Sequence, residues 1–112
     1  MIEKTILDYL NASDLSVTAY AQRPETEPES YVLIEKTGSE RENKIEAATI
    51  AIQSYAATLY GAASLNEEVK EIMEEFVEES SVGRVRLATD YNFTNTAAKR
   101  YRYQAVYNIT HY

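Results

Sequence analysis

The sequence predicts a single α+β domain over residues 1–112, with a largely antiparallel sheet and two main helices on one side of it. Strand patterns outnumber helix patterns and mostly follow each other along the chain, as strands joined by hairpins do. Two segments have the apolar spacing of amphipathic helices. A chain of 112 residues is long enough for one domain with one modest core. The predicted element order is α-β-β-β-α-β-β.

The first helix is predicted over residues 2–11, where Ile2, Ile6 and Leu10 recur with helical spacing. Turn-forming residues follow immediately and end it. Residues 15–22 alternate between apolar and polar side chains and predict the first strand. This strand must end before Pro24, because proline cannot donate a hydrogen bond to a sheet ladder.

The second strand is predicted to begin at Tyr31, where four β-forming residues follow one another. The polar run from Thr37 to Lys44 contains Gly38 and predicts a hairpin loop, which we expect to be mobile in the free subunit. Residues 45–54 predict the third strand. Their alanines would also suit a helix, so periodicity leaves both structures open.

The strongest helix signal lies in residues 58–79, where one broad face is apolar and glutamates occupy the remainder. Ser64 and Glu67 match a capping box, so a helix start at Leu65 after a break at Tyr60-Gly61 is an alternative.

The chain ends in two predicted strands, residues 82–91 and 99–111, with a hairpin link between them. In the second of these, the alternation places Tyr101, Tyr103 and Tyr107 on one face. This face is predicted to pack on the helices. A protein interface or a stacking surface for single-stranded nucleic acid are alternatives, and the acidic net charge lowers the second.

No catalytic residue, metal ligand or cofactor-binding residue is predicted, and the chain is predicted not to be an enzyme. The absence of cysteine excludes disulfides and thiolate metal sites. The single histidine, His111, is predicted to be an exposed terminal residue, because a chain end holds a general base poorly. The helix glutamates are predicted to form a solvated face and not a carboxylate pair tuned for catalysis.

Charge is distributed unevenly along the chain, whose net charge is −7. Residues 1–79 carry 17 acidic and 6 basic side chains, whereas residues 80–112 carry one acid, Asp90, and five bases. Such asymmetry marks surfaces that meet a partner, or elements of one fold that neutralise each other. No signal peptide or membrane span is predicted, and general binding of nucleic acid is disfavoured by the net charge.

Five segments together resemble small tail-completion proteins of siphophages that infect Gram-positive bacteria. They are residues 30–38, 51–56, 62–66, 90–94 and 99–104. The resemblance covers nearly the whole chain and concerns layout, since this family has no catalytic signature. In size and mixed α/β layout, these proteins resemble the tail terminator family of the phage lambda type.

This resemblance implies a structural protein that caps the tail tube as a ring, ends tube polymerisation and provides the surface to which the head attaches. The implied partners are further copies of the chain, commonly in a hexamer, with a monomer before assembly as an alternative. The tail tube protein and the head–tail connector or stopper are the other partners. DNA only passes through the ring, and neither a membrane nor a cofactor is involved. The implied location is the tail–neck junction of the virion, after assembly in the host cytoplasm.

Opposite charges on two surfaces suit the head-to-tail contacts of a ring. On this basis we predict a subunit or tube interface formed by basic residues and by helix glutamates. The predicted residues are Arg41, Lys44, Arg84, Arg86, Arg100, Arg102, Glu71, Glu75 and Glu78. Reversing Arg100 and Arg102 is expected to impair ring formation and to leave the monomer folded.

Two other functions remain open from the sequence. A different neck component, such as a head-closure or stopper protein, is disfavoured by the long helix, since such a protein is expected to be mostly β. A small acidic regulator that binds a host protein is permitted by size and charge. Gel filtration separates the ring-forming subunit from the regulator, since a stable monomer at high concentration favours the regulator.

Overall fold

A computed structural model of the chain describes residues 2–42, 45–76, 82–94 and 100–111. The predicted α+β class, the antiparallel sheet and the order α-β-β-β-α-β-β are confirmed. The elements are α1 (Ile2–Ala12), β1 (Ala19–Tyr20), β2 (Tyr31–Glu42), β3 (Ile45–Ala56), α2 (Leu59–Met73), β4 (Val82–Asn92) and β5 (Tyr101–His111).

The five strands form one sheet in the order β1-β2-β3-β5-β4. Only the short β1–β2 pair is parallel, and the other three pairs are antiparallel. Because β5 inserts between β3 and β4, the last strand of the chain lies inside the sheet. The edges are formed by β4 on one side and by β1 with most of β2 on the other.

Both helices pack on the same face of the sheet, here called the helix-covered face. Every second residue of β3 and β5 points into this core, including Ile50, Ile52 and Tyr107. Helix α1 contributes Ile6 and α2 contributes Val69, and both are fully buried. The opposite face of the sheet, here called the helix-free face, therefore carries the intervening residues of each strand.

The predicted strand over residues 15–22 shrinks to Ala19–Tyr20. Side-chain bonds replace ladder bonds before it: the backbone N–H and hydroxyl of Ser16 both bind the Glu68 carboxylate. The Asn11 amide also binds the backbone of Ala19 through its oxygen and its nitrogen, at 2.9 and 3.1 Å. Alternation here reflects packing of Leu15 and Val17 on the core, not strand pairing.

A hairpin loop was predicted from Thr37 to Lys44, and this prediction is wrong for residues 37–42, which belong to a strand. Strand β2 continues to Glu42 and pairs with β3 as far as Ile45. A bulge between Lys36 and Gly38 shifts the register without ending the ladder. The run is polar because both faces of β2 are exposed here. Lys44 lies outside the described residues.

Helix α2 begins at Leu59, so the alternative start at Leu65 is wrong. The Thr58 side chain caps the helix by accepting a hydrogen bond from the Gly61 N–H at 2.9 Å. Gly61 suits this first turn, since a Cβ there would stand 3.0 Å from Thr58 Oγ1. The helix ends at Met73, and residues 77–79 of the predicted helix lie outside the described part of the chain.

Two expectations for the C-terminal strand need correction. Tyr107 is buried in the core as predicted, but Tyr103 is half-buried and Tyr101 is exposed, so the tyrosines do not share one packed environment. The predicted exposure of His111 is also wrong. It is a buried residue of β5, and its Nε2 lies 3.5 Å from the carboxylate of Glu46 on the neighbouring strand.

Candidate functional site

Arg84 and Arg86 lie on the edge strand β4 and point to the helix-free face. They pair with Thr110 and Asn108 of β5, whose neighbours Ile109 and Tyr107 belong to the core on the other face. Both arginines are exposed, and neither forms an ion pair with any residue that the structure describes. These two predicted interface residues therefore present free positive charge at one edge of the sheet.

Some glutamates of α2 have a partner within the chain, and others are exposed without an ion pair to a described residue. Glu67 pairs with Lys70 at 2.7 Å and Glu68 binds Ser16, whereas Glu71 and Glu75 are exposed without an ion pair in the described residues. A groove of about 630 Å³ between α2 and β4 is lined by residues of both elements, among them Glu71 and Arg84. Glu78, the third predicted glutamate, lies outside the described residues.

One ion pair joins α2 to β4 among the described residues. The sequence led us to expect an acidic helix against basic strands, but in this pair the helix supplies the base and the strand supplies the acid. Asp90, the single acid of the C-terminal segment, binds Lys70 of α2 at 3.2 Å and the Asn66 amide at 3.2 Å. Hydrogen bonds to Glu67 and then Asp90 raise the pKa of Lys70 above its usual value. The positive charge of this contact is on the helix, so it leaves Arg84 and Arg86 unpaired.

Arg100 and Arg102 are engaged inside the chain, at the end of the sheet where residues 21–30 cross the helix-free face. Arg100 donates to the backbone oxygens of Pro28 and Glu29 and lies 5.4 Å from the centre of the Tyr31 ring. Carbonyl oxygens and an aromatic face therefore receive part of this side chain, and its charge also helps to lower the pKa of the nearby Glu27 carboxyl.

Arg102 is held from three directions. Its Nε donates to the backbone oxygen of Phe93 at 2.8 Å, and its Nη1 donates to the Tyr55 hydroxyl at 2.9 Å. The guanidinium carbon lies 4.2 Å from the centre of the Phe93 ring. The short segment at 93–94 is therefore tied to β5 through this side chain, a role that alternation along the strand does not reveal.

Tyr55 is the centre of a polar chain that crosses the helix-free face. Its hydroxyl accepts from Arg102 and, at 3.1 Å, from Arg23, and donates to the Gln53 side chain at 2.9 Å. Gln53 in turn donates to Gln104 at 2.9 Å, and Gln104 donates to the Tyr91 hydroxyl at 2.6 Å. A row of polar groups, buried in its middle at Gln53, Tyr55 and Gln104, thus links the segment at residue 23 to β3, β5 and β4.

Tyr31 stacks on Tyr55 and closes this cluster on the β2 side. The ring centres lie 4.7 Å apart with the planes almost parallel. Burial, and then a hydrogen bond to Glu27, raise the pKa of Tyr31 well above its usual value. The same hydrogen bond lowers the pKa of the Glu27 carboxyl, with Arg23 adding to the effect. Sequence reasoning missed Arg23, Glu27 and Gln53. Glu27 contacts residues four positions away on either side, but Arg23 meets Tyr55, and Gln53 meets Gln104, only through the fold, and no local spacing signals such distant contacts.

Arg41 also finds its partner within the chain. It binds the Glu46 carboxylate across the β2–β3 pair, where the two residues are register partners. This hydrogen bond is the main cause that lowers the pKa of Glu46. Of the six predicted basic residues, Arg41, Arg100 and Arg102 are thus occupied, Arg84 and Arg86 are free of described ion pairs, and Lys44 lies outside the described residues.

Replacing Tyr55 by phenylalanine tests whether the polar chain stabilises the fold. The variant keeps the stacked ring and deletes only the hydroxyl, which leaves two arginine donors and the Gln53 oxygen without a partner. We expect the free energy of unfolding to fall by about 1–3 kcal/mol in urea denaturation. The matched control is Tyr60→Phe, because Tyr60 is 83% exposed. Equal stability of the two variants would contradict this role.

Among the described residues, no group of three or more histidine, aspartate or glutamate side chains is arranged to hold a metal ion. Over the same ranges, no helix is long and apolar enough to span a membrane. Comparison of the chain with models of known families and with curated proteins finds no match.

Proposed function

We propose that this chain is a structural subunit of the siphophage tail terminator type, which assembles into a ring on the end of the tail tube. The ring ends tube polymerisation and provides the surface to which the head attaches. Its partners are further copies of the chain, the tail tube protein and the head–tail connector. Its place is the tail–neck junction, after assembly in the host cytoplasm, and its role is not catalytic.

The observation that carries this proposal is exposed charge of opposite sign on two elements of one small domain, the edge strand β4 and the helix α2. Arg84 and Arg86 are exposed without described ion pairs, and so are Glu71 and Glu75 on another element. A subunit of a ring presents one surface to a different surface of its neighbour, so opposite signs favour this head-to-tail contact over self-matching contacts. The whole-chain resemblance supports the same role.

Deleting the gene in the phage or prophage that encodes the chain is expected to yield tails of uncontrolled length that do not join heads. The physical reason is that an uncapped tube end continues to add subunits. Electron microscopy of the lysate measures tail length and attachment, and expression of the wild-type chain in trans is the control, expected to restore both.

Tails of normal length that join heads would overturn the proposal. Tails of normal length that remain unattached would instead favour the stopper or closure role. Normal virions together with a chain that runs as a monomer in gel filtration would favour the acidic regulator.

A further inference from the structure

Two stretches of strand at opposite edges of the sheet have no strand beside them in the described part of the chain. On one edge, β4 pairs only with β5. On the other, β1 covers only Val32 and Leu33 of β2, so the outer side of β2 from Ile34 to Glu42 is open. Open edges expose rows of unpaired backbone N–H and C=O groups, which are templates for pairing with another strand.

The two open edges carry opposite charge on the same face of the sheet. Arg84 and Arg86 point to the helix-free face of β4. On β2, Glu35 and Glu40 point to the same face, because they pair with Ala51 and Ala47 of β3, which alternate with core residues. Both glutamates are exposed and form no ion pair with a described residue.

The positive charges of β2 point to the other face and are already paired within the chain. Arg41 binds Glu46, and Lys36 lies 3.8 Å from the Glu3 carboxylate of α1. On its helix-free face, the open edge of β2 is therefore acidic, and the open edge of β4 is basic.

The strand register places one pair of these charges, Arg84 and Glu40, at the same height, while Arg86 is level with Gly38 and Glu35 with Thr89. Arg84 lies opposite Thr110, Thr110 lies opposite Ala47, and Ala47 lies opposite Glu40. The chain direction reverses at each of these three antiparallel steps, so β4 and β2 run in opposite directions. A second copy set beside the first by a sideways shift would thus continue the antiparallel alternation and bring Glu40 next to Arg84.

We infer that copies of this chain associate head to tail, with the β4 edge of one copy paired antiparallel to the β2 edge of the next. This inference rests on the proposed function in one respect, namely that the chain acts by associating with copies of itself. Bulges at 82–84 and 87–89 on β4 and at 36–38 on β2 limit the pairing to a short stretch. Pairing of two like edges would place arginine beside arginine or glutamate beside glutamate, so charge selects the head-to-tail contact.

The contact is tested by reversing each edge separately and then mixing. In R84E/R86E both edges are acidic, and in E35R/E40R both are basic. Each variant alone is expected to associate about tenfold more weakly than the wild type, or not at all. An equimolar mixture is expected to regain wild-type association, because each edge again meets its opposite. Sedimentation velocity of the full chains at low salt measures this, and association should weaken as salt rises.

A matched control separates this contact from one made by the helix. In E71R/E75R two exposed α2 glutamates are reversed and the β2 edge is unchanged. If β4 meets β2, this variant does not restore association when mixed with R84E/R86E. Restoration by E71R/E75R in place of E35R/E40R would overturn the proposal and assign the acidic partner to α2.

Undiminished association of the reversed variants, failure of the mixture, or a wild-type chain that stays monomeric at its highest soluble concentration would each overturn the proposal as well. Circular dichroism reports whether the variants are folded. If reversal disturbs the fold, the neutral variant R84Q/R86Q replaces R84E/R86E, and we expect it to associate more weakly than the wild type. This outcome is independent of tail length in the deletion strain. Charge-selected association together with normal tails would leave the edge contact standing and the tail terminator role refuted.

Discussion

Replacing Phe76 by alanine is expected to lower the free energy of unfolding by about 3–5 kcal/mol, a large share of the stability of a domain of this size. The Phe76 side chain is 0% exposed and belongs to the core beneath both helices. Its ring centre lies 5.0 Å from that of Tyr9 of α1. Alanine would leave a cavity between the helices that a close-packed interior fills only in part.

The chain's other phenylalanine provides the control. Phe93 is 40% exposed and contacts Arg102 and Tyr91 at the surface. Phe93→Ala is expected to cost about 1 kcal/mol, since it loses surface contacts and creates no enclosed cavity. Urea denaturation followed by circular dichroism measures both variants. If Phe93→Ala proves as destabilising as Phe76→Ala, the core described between the two helices does not dominate stability.

Reversing Arg102 to glutamate is expected to destabilise the monomer by about 3 kcal/mol or more, since each hydrogen bond to a charged group contributes about 1.5–3 kcal/mol. The guanidinium donates to the Phe93 carbonyl and the Tyr55 hydroxyl and covers the Phe93 ring. A carboxylate in its place would face a carbonyl oxygen and the negative faces of two aromatic rings. A falling denaturation midpoint in urea is the expected measurement.

Arg86→Glu is the matched control for this reversal. Arg86 lies on the neighbouring strand and is exposed without a described ion pair. Its reversal is expected to change stability by about 0.5 kcal/mol or less. If Arg102→Glu were equally harmless, the internal contacts of Arg102 would not stabilise the fold, and its role at an interface would gain weight.

These contacts change how the predicted interface has to be tested. From the sequence we expected the reversal of Arg100 and Arg102 to block ring formation in a folded monomer. Because both side chains hold residues 28–29 and 93 in place, we now expect the reversal to disturb the fold itself. Loss of association in such a variant would not identify an interface, whereas loss in R84E/R86E would.

The sequence by itself determined where the two helices begin to form along the chain and which face of the last strand includes the core residue Tyr107. Helical spacing at Ile2, Ile6 and Leu10 predicted α1, and alternation along the last strand predicted that Tyr107 packs on the helices. These patterns are local, because the periods of helix and strand place every third or fourth, or every second, side chain on one face. Local patterns failed where polar residues cover both faces of β2, which reads as a loop, and at 15–18, where core packing resembles a strand.

Only the tertiary structure decided which charges are free. Arg84 and Arg102 look alike in the sequence, yet one lies exposed on an edge strand and the other contacts Tyr55 from 47 residues away in the chain. The difference arises because β5 inserts between β3 and β4, which leaves β4 at the edge and brings Arg102 beside Tyr55. Periodicity indicates the face on which a side chain lies but not the strand beside it, since strand order is set by contacts between residues distant in the chain.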